Sequence, residues 1–352
     1  VRGCLGYNCK MKNKQSINIS RLPEEEILNM RVCDLPLSIK GSWLEPCIEK
    51  LYQELNLKGV MFKPECYLAD EWLAPDKEPV IGIPFFLAHP RLIKLEKKIM
   101  LEAEGNSYPW CLKLLRHEAG HAINYAYKLY RRKSWKKVFG EFTKEYPDKY
   151  RFRPYSKSFV RHLEDYYAQY HPDEDFAETF AVWLTPNFNW EKKYRGWKAL
   201  DKLYYLDKVI NEIKAREPLV KKGVKHWQQS AMRIRLKNFY KKKKHYYAED
   251  FPDFHDINLK KIFTPKSSLL DSSGHKLASN ILKNHKKDIL DSTARWTGEK
   301  KYVISELINA ISERCKKLDL VVEGSQDKAL TDITIYITTL IMNYIHTGGF
   351  RS

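Results

Sequence analysis

Three residues, His117, Glu118 and His121, have the types and the spacing that metal chemistry needs. Two histidines four apart on a helix project from one face, so both rings can aim a nitrogen at a single divalent ion, for which zinc is the natural candidate. Glu118 beside them suits a carboxylate that leaves the ion alone and takes a proton from the water that the ion polarises. The chemistry this permits is hydrolysis. Ala119 and Gly120, between the histidines, add little bulk and leave room for another element to come close.

Two histidines need a third protein ligand. A histidine six residues beyond His121 would complete one common pattern, but that position is Tyr127. A glutamate from a later helix is available in the run HPDEDFAETFAVWL at 171–184, where Glu174 and Glu178 lie one turn apart on one face. Stacked carboxylates with no cation between them repel, and a metal with its histidines removes that objection. Either glutamate can be the ligand on spacing alone. Hydrolysis also needs a donor for the developing oxyanion. Tyr166, Tyr167 and Tyr170 precede the glutamates, although aromatic packing is an equal reading of them. His171, just before Pro172, reads more simply as a turn residue.

The run Glu174, Ala177, Phe180, Ala181 and Leu184 resembles the E-x-x-A-x-x-F-A-x-x-L helix of ImmA/IrrE-type zincins, and it is similar to the corresponding helix of lethal-factor-type catalytic domains. The likeness extends to bacterial zinc-binding metallopeptidases of the gluzincin type, which pair HExGH with a P-x-E-D-F-A-E-T-F-A-like segment. It covers about residues 31–218. It implies that Glu174 binds zinc with His117 and His121, that Glu178 orients one of those histidines, and that Tyr167, seven residues before Glu174, steadies the oxyanion. The reverse assignment of the two glutamates remains the alternative. No resemblance attaches to the C-terminal third.

The elements that must hold these residues are legible from periodicity and punctuation. Residues 1–30 read as a polar, basic tail with a helix start at Pro23, Glu24, Glu25 and Glu26. A helix is predicted at 44–55 and extended segments at 60–68 and 80–87, the second cut by Pro84 and so an edge strand. Asn106, Ser107 and Pro109 introduce a helix at 110–130 whose apolar face is Leu112, Leu115, Ala119, Ala122, Ile123 and Ala126. Arg131, Arg132, Lys133, Trp135, Lys136 and Lys137 are read as extending it. Helical stretches are expected at 159–170 and 173–184, the latter stopped by Pro186. From Arg216 to Tyr247 there are eleven Lys or Arg and one acid, Glu217, which marks a domain boundary. Three helices are predicted at 271–290, 301–318 and 327–345, the last rich in Ile and Thr and compatible with a strand by propensity. The expected fold class is α+β: a zincin-like metallopeptidase domain at 31–218 with a small mixed sheet, a basic linker at 219–250, and an α-helical domain at 251–352.

Bulk properties are compatible with this. The chain has 352 residues, 43% hydrophobic and 13% aromatic, too apolar for a disordered chain. Its longest apolar run, 333–345, is shorter than the roughly 20 residues of a bilayer span, and no signal-peptide pattern is read near Val1. Seven cysteines do not make the dense even set of a disulfide scaffold, so a cytoplasmic protein with reduced thiols is expected. Cys4 and Cys9 hint at a second metal site, but no partnering ligands lie at the usual spacing. The net charge of +18 suits polyanions or an acidic substrate. Nucleic acid could bind where Arg233, Arg235, Lys237 and Lys241–Lys244 interleave with Phe239, Tyr240, Tyr246 and Tyr247, although a solvated helix face is the plainer reading. Zinc peptidase, with a peptide or protein substrate, is therefore the primary expectation. The alternative is a degenerate zincin that binds nucleic acid or protein through its basic linker and C-terminal helices. A zinc hydrolase acting on a non-peptide amide would look the same in sequence.

Overall fold

The apolar stretches near residues 44 and 80 fold as a helix beside two short strands. Beyond residue 90 helices predominate, so the chain is α+β with little sheet. The computed structural model describes residues 18–147, 152–163, 166–214, 216–247, 255–269 and 274–347. In chain order the first part carries α1 (Glu24–Asn29), α2 (Leu44–Leu57), β1 (Glu65–Ala69), β2 (Val80–Pro84), α3 (Pro90–Met100), α4 (Tyr108–Ala126), α5 (Lys133–Phe139), α6 (Pro172–Leu184), α7 (Trp190–Lys193), α8 (Ala199–Ile213) and α9 (Leu236–Tyr246). The C-terminal part carries α10 (Asp256–Ile262), β3 (Thr264–Pro265), α11 (Ala278–Asn284), α12 (Lys286–Thr297), α13 (Lys301–Lys317), β4 (Leu320–Val321) and α14 (Gln326–Thr347). Cys4 and Cys9 lie outside the described residues.

Strands β1 and β2 pair in parallel, from Glu65 opposite Val80 to Ala69 opposite Pro84, and Leu73 bridges Gly82 on the other side of β2. Every residue of β2 is buried, so it reads as a continuous apolar run rather than an alternating one. Pro84, which has no N–H for a ladder, ends the strand and leads into a short 3-10 turn at Phe85–Ala88.

Helix α4 is the spine. Pro109 occupies its first turn, where a missing N–H costs nothing. From His117 to Ala126 every residue is buried, so the helix has no solvated face there, and its polar residues must find partners inside the protein. It ends at Ala126, not at residue 130 as its periodicity suggests. Lys128 takes a left-handed conformation at φ 50°, and the basic residues beyond it form a separate helix, α5, which turns Trp135 and Phe139 into the core. The stretch at 159–170 is likewise not an α-helix among its described residues. It holds one 3-10 turn, Tyr167–Gln169, entered through Tyr166 at φ 56°.

Helix α6 packs along α4, and all thirteen of its residues are buried. His171 caps it through Nδ1, which accepts from the Asp173 amide at 3.1 Å, while its Nε2 donates to the Lys144 carbonyl at 2.7 Å. Both ring nitrogens are therefore committed to structure. Asp173, Glu174 and Asp175 fill the first turn, where the helix dipole favours negative charge.

The basic stretch after residue 216 runs back over the first part. Val32 and Cys33 donate backbone hydrogen bonds to Ile234 and Met232, and Leu236 donates to Met30. Leu236 and Tyr240 of α9 are buried in the first core, together with Ile19 and Ile27. A second core, including Leu259, Phe263, Ile304, Ile308, Ile333 and Ile337, belongs to the C-terminal helices. There the segment expected as one helix at 271–290 is two, α11 and α12, broken at His285. The Ile/Thr-rich end of the chain is helix α14, whose Thr331, Thr334, Thr339 and Thr347 hydroxyls each donate to the carbonyl four residues back. Among the described residues no helix is long and apolar enough to cross a membrane.

Candidate metal centre

Two consequences of the sequence meet at one point: the HEAGH turn of α4 and the first turns of α6. Gly120 permits the approach. A Cβ placed there would lie 2.7 Å from the Ala177 Cα and 3.0 Å from its carbonyl oxygen. His117 Nε2 and His121 Nε2 are 3.2 Å apart, and Glu174 Oε2 lies 3.1 Å from the first and 3.2 Å from the second. These three atoms form a nearly equilateral triangle. Ligands about 2.05 Å from a tetrahedral zinc would sit about 3.3 Å from one another, so the triangle has the size of one face of that tetrahedron. Among the described residues His117, His121 and Glu174 are the one group of three or more such side chains placed closely enough to share an ion, and all three are buried.

The other nitrogen of each ring is held by a carboxylate. His117 Nδ1 donates to Glu178 Oε1 at 2.9 Å, and Glu178 Oε2 accepts from the backbone amides of Leu163 at 2.8 Å and His162 at 3.2 Å. The imidazole of His117 thus lies between the two stacked glutamates. His121 Nδ1 donates to Asp173 Oδ2 at 2.9 Å. Asp173 also accepts from Asn124 Nδ2 at 2.7 Å and from the Tyr125 hydroxyl. With both Nδ1 atoms donating to carboxylates, both Nε2 atoms are left to face Glu174, and they are the nitrogens a metal would take once their protons leave.

Without an ion the cluster must hold protons instead. Burial alone would lower the His117 imidazole, but its hydrogen bonds to Glu174 and Glu178 push it up to about 9. His121 is raised well above its ordinary value, its burial being outweighed by Asp173 and Glu174. The same pairing holds the Glu174 and Glu178 carboxyls below the usual range despite their burial.

Glu118 is buried and makes no side-chain hydrogen bond among the described residues. It lines a large cavity together with His117 and Tyr167. Burial raises its carboxyl, Glu174 and Glu104 raise it further, and the two imidazoles pull it down. The Tyr167 ring centroid lies 5.6 Å from that of His117, and its hydroxyl is likewise without a hydrogen bond among the described residues. Tyr166 stacks on Phe152 and Tyr170 on Tyr167.

Sequence reasoning missed Asp173, Asn124, Tyr125 and Tyr146. Asn124 and Tyr125 stand three and four residues after His121 on one helix, which is a readable signal. Tyr146, which stacks on His171 at 4.0 Å and donates to Glu174 Oε1 at 3.0 Å, comes from a loop and leaves no such trace. A buried ion pair, Lys202 to Asp175 at 2.6 Å, ties the start of α6 to α8.

The basic stretch that could have met nucleic acid is partly consumed by the fold. Lys243 pairs with Glu96 at 2.5 Å, Lys244 lies over the Tyr302 ring, and Tyr240 is buried. The comparisons with known proteins lend that partner no support. No curated protein and no solved structure shows significant similarity to the chain. A family model described as "Putative zinc-binding metallo-peptidase" matches residues 97–218, the segment that carries α4, α6 and α8 and therefore every side chain of the triangle.

Proposed function

We propose that the protein is a zinc-dependent peptidase in which His117, His121 and Glu174 hold the metal. Supporting this reading above all is the triangle of donor atoms with edges of 3.1–3.2 Å, set between two helices. A divalent ion bound there supplies Lewis-acid polarisation of the scissile carbonyl and of a water. Glu118 takes the proton from the attacking water and returns it to the leaving amine; burial raises its carboxyl, which makes it a stronger base. Tyr167, whose hydroxyl has no hydrogen bond among the described residues and lines the cavity, donates to the developing oxyanion. Glu178 and Asp173 fix the rings of His117 and His121, and Tyr146 steadies the outer oxygen of Glu174. Residues 31–218 form the catalytic unit and 251–352 a second, helical one, with the intervening basic stretch laid along the first.

Glu118→Gln is expected to keep one zinc per chain and lose peptide hydrolysis by at least about a hundredfold, whereas His117→Ala loses the metal. Metal analysis alongside cleavage of a diverse peptide pool reads both. Undiminished cleavage by zinc-replete Glu118→Gln protein would overturn the assignment of the base.

A further inference from the structure

A cavity of about 1030 Å³ joins the metal centre to the C-terminal helices: His117, Glu118 and Tyr167 line it from one side, and Arg295, Lys300 and Tyr302, around the α12–α13 corner, from the other. The chain carries a net +18, yet eight carboxylates line this cavity against five lysines and arginines. Asp70, Glu71, Glu102 and Glu104 are among them, and Glu104 is close enough to Glu118 to act on its charge. Glu96, 2% exposed, pairs with Lys243 through one oxygen and keeps the other shut off from solvent without a hydrogen-bond partner, and one oxygen of Asp70 is shut off in the same way. Burial raises the Asp70, Glu71 and Glu102 carboxyls, and neighbouring acids raise Glu71 and Glu102 further.

These acids do not converge on one point as metal ligands must, since the His117, His121 and Glu174 group stands alone in that respect among the described residues. Their spread suits a cation carried on a flexible stem. The protein itself supplies one: Lys300 donates to the Tyr247 hydroxyl at 2.9 Å and lies 4.5 Å from the ring centroid, within reach of the charges of Glu102 and Glu104. Solvent still reaches Lys300, so it can be displaced.

We propose that this acidic patch is the subsite for a lysine or arginine side chain flanking the scissile bond of a peptide substrate, and that Lys300 of the C-terminal part occupies it until substrate arrives. The proposal rests on the peptidase reading. It makes the C-terminal helices a wall of the substrate cleft.

The test uses full-length, zinc-loaded Glu118→Gln protein, so that binding is measured without turnover, and two fluorescein-labelled dodecapeptide pools that differ only in a central Lys or Arg against Gln. By anisotropy the basic pool is expected to bind about tenfold more tightly. Glu102→Gln with Glu104→Gln should erase the preference at unchanged zinc content. Lys300→Ala should tighten binding of the basic pool about threefold and leave the Gln pool alone. Equal binding of the two pools, a preference that survives the double variant, or no tightening in Lys300→Ala would each overturn the proposal. If wild type cleaves both pools without preference, the subsite fails and the peptidase reading stands. If wild type cleaves neither while the binding preference holds, the reverse is true.

Discussion

Each imidazole at the centre has two nitrogens and two fates. Nδ1 is tied to a carboxylate, and Nε2 shares its surroundings with the other ring and with Glu174. Metal-free protein therefore carries protons that a metal must expel. With His117 raised to about 9, zinc uptake at pH 7.5 should release about one proton or more per ion. Titration calorimetry in buffers of different ionisation enthalpy measures that release, and none would contradict the charge state described. The same shift sets the sign for stability. A group whose folded value lies above its ordinary 6.5 contributes fully below 6.5 and loses that contribution as the pH rises through about 9. Metal-free protein should accordingly lose thermal stability between pH 6.5 and 9, while zinc-loaded protein, whose rings are already neutral, should not.

At the scale of elements, the site depends on how closely α4 and α6 approach, and Gly120 sets that distance. Gly120→Ala would push a methyl against the Ala177 backbone, which cannot swing aside as a flexible side chain would. The expected cost is about 1–3 kcal/mol, seen as a lowered unfolding midpoint, with zinc affinity falling because the triangle is drawn open. Unchanged stability would mean that the helices tolerate a wider spacing. Much of this pairing is legible in the sequence. The two histidines and the glutamates each obey a local helical spacing, and small residues at Gly120 and Ala177 mark the crossing. What local spacing cannot carry is the place where burial overrides it. α4 stops at Ala126 because the chain turns left-handed at Lys128, and the residues before α6 turn at Tyr166 instead of continuing a helix. Tyr146 reaches Glu174 from a loop whose path is set by tertiary packing, and Asp173 could be read only as a helix-start acid until its partner was seen across the interface.

At the scale of the molecule, the described residues build two large and separate apolar cores, one spanning Ile19 to Tyr240 and one spanning Leu259 to Ile341. Contact between the two parts includes Tyr302 against the first core, Lys300 on Tyr247 and the His346 ring near Phe152, with a large cavity beside them. These contacts leave the two large cores unjoined, and cores built separately are expected to melt separately. Calorimetry should therefore resolve two unfolding transitions. The proposed zinc ligands are all rooted in the first core, so zinc should raise only one of them. At a free concentration a hundred times the dissociation constant the gain is about 2.7 kcal/mol, which for a unit of this size moves the midpoint by about 5–10 °C. His117→Ala should abolish that shift and leave the other transition where it was. A single transition that zinc moves as a whole would show instead that the C-terminal helices and the metal-binding part fold as one cooperative body, and that the cavity between them is a feature of one core rather than a seam between two.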